Sequence, residues 1–233
     1  MGDGPMLMIE TADGIAVAIF LVVWLGYNWI NDHGPLADKG LSSAMNVQRG
    51  RWMEVMSRRD LRMIDTAIMA GLQQGTAFFA SACIFAIGGC FALLGSAERI
   101  ATISADLPFY AGLDRGMVEL KLLGLVLIFA YAFFKFGWAY RLFNYCSILI
   151  GAVPMPSDPT VDAATRERAV LKAARLNQIA GRNFNTGLRA IFFALAYLGW
   201  FLGPYALVLT TTLVVVIIAQ RQYRSPARDA VHD

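Results

Sequence analysis

The sequence predicts an all-α, polytopic transmembrane helix bundle, and two observations carry that expectation. The chain has 233 residues, of which 57% are hydrophobic and only 16% charged, whereas soluble domains run nearer to about 45–50% and about 25%. The apolar residues also gather into runs of the length a helix needs to cross the ~30 Å hydrocarbon core at 1.5 Å per residue. Length and continuity fit one bundle, 1–233, rather than two domains.

The first span is predicted at about 12–30. Asp13 stands at its outer end, and Trp24, Tyr27 and Trp29 cluster at the other, as aromatic anchors at a membrane interface do. A polar stretch follows from Asn31 to about Ile64. It opens with turn formers and continues as RGRWMEVMSRRDLRMID, where the spacing of Trp52, Met56, Met63 and Ile64 predicts a helix near the membrane surface. The second span is predicted at about 76–94, with its helix beginning earlier; Gly71 and Gly75 form a GxxxG that permits close helix packing.

A connector with Pro108 leads to the third span, about 120–140, whose helix is expected to run on through RLFNYCSILIG and stop before Pro154. Asp158-Pro159 reads as a helix start, with Asp as N-cap and Pro at the first helical position. The region 162–182 is rich in Ala, Arg and Lys and reads as a solvated basic helix without one clean apolar face. The apolar region 188–219 is too long for one straight crossing, with Gly203-Pro204 at its middle. It is either one kinked helix or a hairpin of two spans, about 183–202 and 205–220.

Charge distribution chooses between four spans and five. Lys and Arg collect in cytoplasmic loops. None precedes the first span, and six lie between spans one and two. Three lie in the next connector, seven between span three and the last apolar region, and three in the tail. The alternation places the N-terminus in the periplasm and the basic, helical loops in the cytoplasm of a cell inner membrane. A hairpin keeps the basic tail inside as well, so five spans are favoured. The first basic residue is Lys39, so no cleavable signal peptide is expected.

The chemistry-bearing residues are sparse. There are two histidines, His33 and His232, and three cysteines, Cys83, Cys90 and Cys146, each alone in apolar surroundings. That composition offers no bis-histidine haem site within the membrane, zinc motif, Ser-His-Asp triad or phosphate loop, and no cofactor or metal is expected. The modest net charge of +3 does not suggest nucleic acid. Ionisable groups at membrane depth are the better lead, because each is costly unless paired or wet. Lys135, in LIFAYAFFKFGWAYR, is the clearest: it either snorkels to the cytoplasmic interface, the favoured reading, or faces the bundle interior as a pathway or ligand contact, and Asp65 is expected to pair with it. Glu119 and Lys121 are expected to anchor the outer start of span three. Gln73 and Gln74 either hydrogen-bond between helices or, the favoured reading, are ordinary polar groups near a helix end; Asn28, Tyr131 and Asn144 are read in the same way.

RGRWMEVM, LKLLGLVLIFAYAFFKFGWAYRLFNYCSILIGAVP and FNTGLRAIFFALAYLGWFLGP together resemble the multi-pass membrane family catalogued as domain of unknown function 599, found in bacteria and plants. The positions matching the family pattern are Arg51, Trp52, Lys121, Arg141, Asn144, Gly187, Arg189, Trp200, Gly203 and Pro204. The resemblance implies a membrane fold and no activity. On this pattern Arg51, Arg141 and Arg189 are expected to bind lipid phosphates or clasp a carboxylate such as Asp65. Asn144 is expected to satisfy backbone where the third helix meets the interface.

The candidate functional cluster is therefore Arg51, Asp65, Lys135, Arg141, Asn144 and Arg189. The leading functional expectation is a non-enzymatic structural or accessory membrane component, with membrane lipids and a homo-oligomer or larger membrane complex as partners. A small transporter with a polar interior site and a lipid-modifying enzyme at the cytoplasmic face are the alternatives.

Overall fold

The computed structural model describes residues 11–98 and 115–232. They form α1 (Thr11–Asp32), α2 (Leu41–Ser57), α3 (Met63–Leu94), α4 (Arg115–Ala152) and α5 (Ala163–Tyr197), followed by a 3-10 turn (Leu198–Leu202), α6 (Pro204–Tyr223) and α7 (Pro226–His232). No strand occurs among the described residues. Five segments are long and apolar enough to cross a membrane: α1, α3, α4, α5 with its 3-10 turn, and α6 running into α7. Pro108 and Arg99 of the expected connector lie outside the described residues.

The hairpin reading of the last apolar region is the one found. Gly203 has φ 127°, outside the range L side chains readily adopt, and Pro204 opens α6 at its first turn, where a missing N–H costs nothing. The fourth span is not the short segment expected at 183. Its helix starts at Ala163 and runs 35 residues, so the basic region and the span are one rod.

α4 is likewise continuous through Cys146 and Leu149 to Ala152, and α3 begins thirteen residues before Thr76. At 1.5 Å per residue α4 is roughly 57 Å long, so α4 and α5 project well beyond a bilayer at one end. That end carries Arg49, Arg62, Arg166 and Arg182, and is called the basic end below.

Successive spans alternate in direction, so α1 runs parallel to α6 and antiparallel to α5. At the basic end, Tyr223 of α6 donates to Asn31 of α1 (2.8 Å), and Arg62, just before α3, donates to the carbonyl oxygens of Ile150 (2.8 Å) and Val153 (2.6 Å) at the end of α4. At the far end, Lys121 of α4 and Asp13 of α1 both meet Trp200. The α4–α5 interface is the most extensive, with α3 on the other side of α4 and α1 paired with α6 beside α5. Gly124 and Gly187 permit this closeness: a Cβ at either would collide with the Tyr197 hydroxyl or the Phe136 ring.

Two cores result. The membrane core is aromatic, with Phe20, Trp24, Phe136, Phe193 and Tyr197 in edge and stacked contacts. Trp24 and Tyr27 belong to it rather than to the interface; Trp29 alone of the three faces outward. The second core lies at the basic end, where Met53 and Met56 of α2 and Met69 of α3 pack on Phe143 and Ile150 of α4 and on α5.

The α5 contribution corrects the expectation of no clean face. Val170, Ala173, Ala174, Asn177, Ala180 and Gly181 are all buried, at the i, i+3, i+4, i+7 spacing of one helical stripe. The stripe is made of small residues, mostly Ala, set against the Arg and Lys of the exposed side. The helix start is also corrected. Asp162, not Asp158, caps α5, accepting from the Thr165 N–H (3.1 Å), while Asp158 accepts from the Thr160 N–H (2.9 Å) in the preceding turn. These hydrogen bonds hold both carboxyls below the usual carboxylate range.

All three cysteines are buried and unbridged. Gly71 and Gly75 have no side chain or neighbouring backbone near them, so the GxxxG makes no close helix contact within the chain. Replacing Gly203 by Ala is expected to cost about 1–3 kcal/mol through the forced backbone angle, read as a lower thermal midpoint in detergent. Gly88→Ala, at an open helical position, is expected to leave the midpoint unchanged or slightly raised.

Candidate functional site

Ionisable residues near the ends of the spans are gathered into two buried networks joined by the aromatic core. At the basic end, Arg189 of α5 is 8% exposed. Its Nε donates to Asn28 Oδ1 (2.7 Å), and one terminal nitrogen donates to both Asp32 oxygens (2.8 Å each) and to Thr186 Oγ1 (2.9 Å). A guanidinium of low exposure is thereby neutralised by a carboxylate and surrounded by acceptors, the condition for a favourable buried ion pair. Beside it, lining the same two recesses, a separate chain runs from Asn185, which donates to Ser42 Oγ (3.2 Å), to Ser42, which donates to Gln222 Oε1 (3.2 Å). Together the two sets of bonds join α1, α2, α5 and α6.

The two recesses are small, about 90 and about 120 Å³. They are large enough for a few waters. The buried Tyr27 hydroxyl lines the second recess and makes no hydrogen bond.

At the far end, Lys121 of α4 is 1% exposed. Its ammonium donates to the Trp200 carbonyl oxygen (2.8 Å) and lies 5.1 Å from the centre of the Trp200 ring. The Trp200 indole N–H donates to the Asp13 carboxylate, which also acts on Lys121 as a countercharge. The 3-10 turn that follows α5 puts both the carbonyl and the indole of Trp200 within this cluster.

A third polar junction forms the second core's edge. Asp65, fully buried at the start of α3, accepts from Trp52 Nε1 (2.7 Å) and Arg59 (2.8 Å). Arg49 of α2 donates to Asn177 of α5 (2.6 Å) over the Phe143 ring, and burial lowers its pKa.

The expected Asp65–Lys135 pair does not form. Gln73 donates to Ser147 (3.0 Å) and so fixes the register of α3 on α4. Asp65 lies eight residues toward the basic end from that level and Lys135 twelve toward the other. At helical rise this puts them roughly 30 Å apart. The Lys135 ammonium rests 5.4 Å from the Tyr131 ring centre. For Gln73 the interhelical alternative is the one found.

The other members of the candidate cluster are also separate. Arg51 is exposed on α2, and Asn144 is half-buried on α4. Arg141 is exposed and donates to the Tyr145 hydroxyl (2.6 Å). Arg189 does clasp a carboxylate, but the carboxylate is Asp32. Lys121 is no interface anchor, and Glu119 pairs instead with Arg115 (2.7 Å).

Sequence reasoning missed Asp13 and Asp32 as partners. The available signal was their position: the two carboxylates bracket the first span at the levels where Lys121 and Arg189 bracket later ones. Among the described residues, no three or more His, Cys, Asp or Glu side chains converge as a metal site requires.

An all-α fold with five apolar spans and charges consumed at their ends defines a polytopic membrane protein. The chain belongs to the family described as Protein of unknown function, DUF599, whose profile matches residues 15–227. No curated protein and no solved structure matches the chain.

Arg189→Met is expected to destabilise the detergent-solubilised protein by about 1–3 kcal/mol, less than for a fully enclosed pair because Asp32 is 26% exposed. Adding Asp32→Asn to Arg189→Met is expected to cost less than the sum of the two single substitutions, measured as a double-mutant cycle on thermal unfolding.

Proposed function

We propose that this protein is a non-enzymatic structural or accessory component of a bacterial inner membrane, with its N-terminus in the periplasm and its basic loops in the cytoplasm. The observation that carries the reading is how the ionisable groups are used. Arg189 with Asp32, and Lys121 with Asp13, hold helices together at the two ends. The depth between them is filled by Phe20, Trp24, Phe136, Phe184, Phe193 and Tyr197. Stacked rings at mid-depth leave no line of polar groups for a solute or ion to follow, which weighs against a transporter.

The orientation is supported by charge. With five crossings, the Lys and Arg residues of 33–62, of 153–189 and of 221–228 all fall on one side, where the positive-inside rule puts the cytoplasm. The broad apolar faces of α3 and α6, each only 11% buried over the span, provide surface for lipid or for partner helices. The α5 span is 56% buried and forms the centre of the bundle.

Vesicles reconstituted with the pure protein are expected to show proton and ion leak no faster than empty vesicles. Mild-detergent extraction from the native membrane is expected to yield a homo-oligomer or a stoichiometric partner. A flux above background that Arg189→Met abolishes would overturn the structural reading in favour of transport. A reporter fused after Arg228 is expected to signal from the cytoplasm; a periplasmic signal contradicts the orientation.

A further inference from the structure

A groove of about 540 Å³ runs along α6 and the turn after α1, and none of the networks above uses it. Its floor is the stripe Val216, Ala219, Gln220 and Tyr223, at the i, i+3, i+4, i+7 spacing of one helix face, closed at the side by Leu36. Its rim at the basic end carries Lys39, Arg224 and Arg228. Along that stripe the surface passes from aliphatic to amide and phenol to cation over about two turns of helix. A phospholipid entering the membrane passes through the same sequence in reverse, from phosphate through glycerol esters to acyl chain.

The charge is available for a ligand. Among the described residues neither Lys39 nor Arg224 makes an ion pair. Arg228 meets one carboxylate, Asp229, at 3.5 Å, while its Nε donates to the Lys39 carbonyl oxygen (2.9 Å) and so ties α7 to the turn. The rim is therefore built of three cations that, among the described residues, pair with one carboxylate, Asp229. Arg189, the arginine that the family pattern suggested for lipid phosphate, is already neutralised by Asp32 and does not compete for this role.

We infer that this groove binds an anionic phospholipid, with its phosphate held by Lys39, Arg224 and Arg228 and one acyl chain laid over Ala219, Val216 and Leu36. Cationic pockets at the membrane level of helix ends select anionic headgroups through charge-assisted hydrogen bonds. The apolar floor continues the lipid-facing side of α6, so a bound lipid stays in its leaflet. The inference does not depend on the structural-component reading. A transporter or an enzyme with this groove would bind the same lipid, and loss of binding would leave the flux result untouched.

Native mass spectrometry of the full chain, exchanged from detergent into equimolar phosphatidylglycerol and phosphatidylcholine, tests it. The wild type is expected to retain one phosphatidylglycerol per chain, preferred roughly tenfold over phosphatidylcholine. K39Q/R224Q is expected to lose the preference, and R51Q/R58Q, which removes two exposed cations at the same end, to keep it. R224Q alone is the safeguard for folding, since Arg224 is exposed and makes no side-chain hydrogen bond; it is expected to reduce the preference several-fold. Equal retention of the two lipids by the wild type would overturn the inference, as would an unchanged preference in K39Q/R224Q or an equal loss in R51Q/R58Q. Displacement of the lipid by millimolar inorganic phosphate would also overturn it, because a site that uses the acyl chain is not emptied by the headgroup anion alone.

Discussion

The Arg189 guanidinium is the constraint on which the bundle turns. A cation of low exposure beside a hydrocarbon layer must find a countercharge and acceptors for its N–H groups, or the helix carrying it will not stay in place. Asp32 supplies the charge and Asn28 and Thr186 supply acceptors. Because Asn28 and Asp32 are one turn apart on α1, the guanidinium fixes both the height and the rotation of α5 against α1. Eleven residues further along, Trp200 repeats the arrangement with Asp13 and Lys121. With both ends located, the rings between them have one way to interlock, and the aromatic core follows.

The same helices then do a second job outside the span. α4 and α5 are longer than a bilayer needs, and their projecting ends would expose an alanine stripe and Phe143 to water. α2 and the start of α3 cover them, placing Met53, Met56 and Met69 in the gap. Methionine suits this position because its unbranched side chain adapts to an irregular space. Arg62 closes the junction by donating to the Ile150 carbonyl in the last turn of α4 and to the Val153 carbonyl just beyond it, where helix-end carbonyls have few backbone donors. The polar loop of the sequence is thus a second, smaller bundle, and it positions Gly40, Lys39 and Ser42 beside the end of α6.

Much of this was legible in the residues and some was not, for definite reasons. Span number followed from run length and charge alternation, and the Gly203-Pro204 bend followed from backbone chemistry local to two residues. The continuation of α4 to Ala152 was legible because nothing between Arg141 and Ala152 breaks a helix. The alanine face of α5 was missed although its periodicity is present, because alanine suits any position of a helix and does not by itself mark a buried side. Asp158-Pro159 carries a helix-start signature, yet Asp162 holds the cap, since both Asp residues satisfy the same local rule and tertiary packing selects between them.

The ion pairs show the limit most clearly. The sequence marked Arg189, Lys135 and Asp65 as groups in need of partners and Lys121 only as an interface anchor, but which carboxylate meets which cation depends on the relative heights of helices far apart in the chain. A single interhelical contact such as Gln73–Ser147 sets that height, and no local pattern encodes it.

The coupling of α5 to α1 can be measured in the membrane itself. Cysteines placed at Asn31 of α1 and Asn185 of α5, which line the same recesses and leave Asp32 and Arg189 in place, together with a protease site introduced in residues 153–162, allow a short bifunctional thiol reagent to report whether the two helices meet. After cleavage the two fragments should migrate together on a denaturing gel only when both cysteines are present. Fragments that separate after efficient labelling of both positions would contradict the clamp and the arrangement of spans built on it.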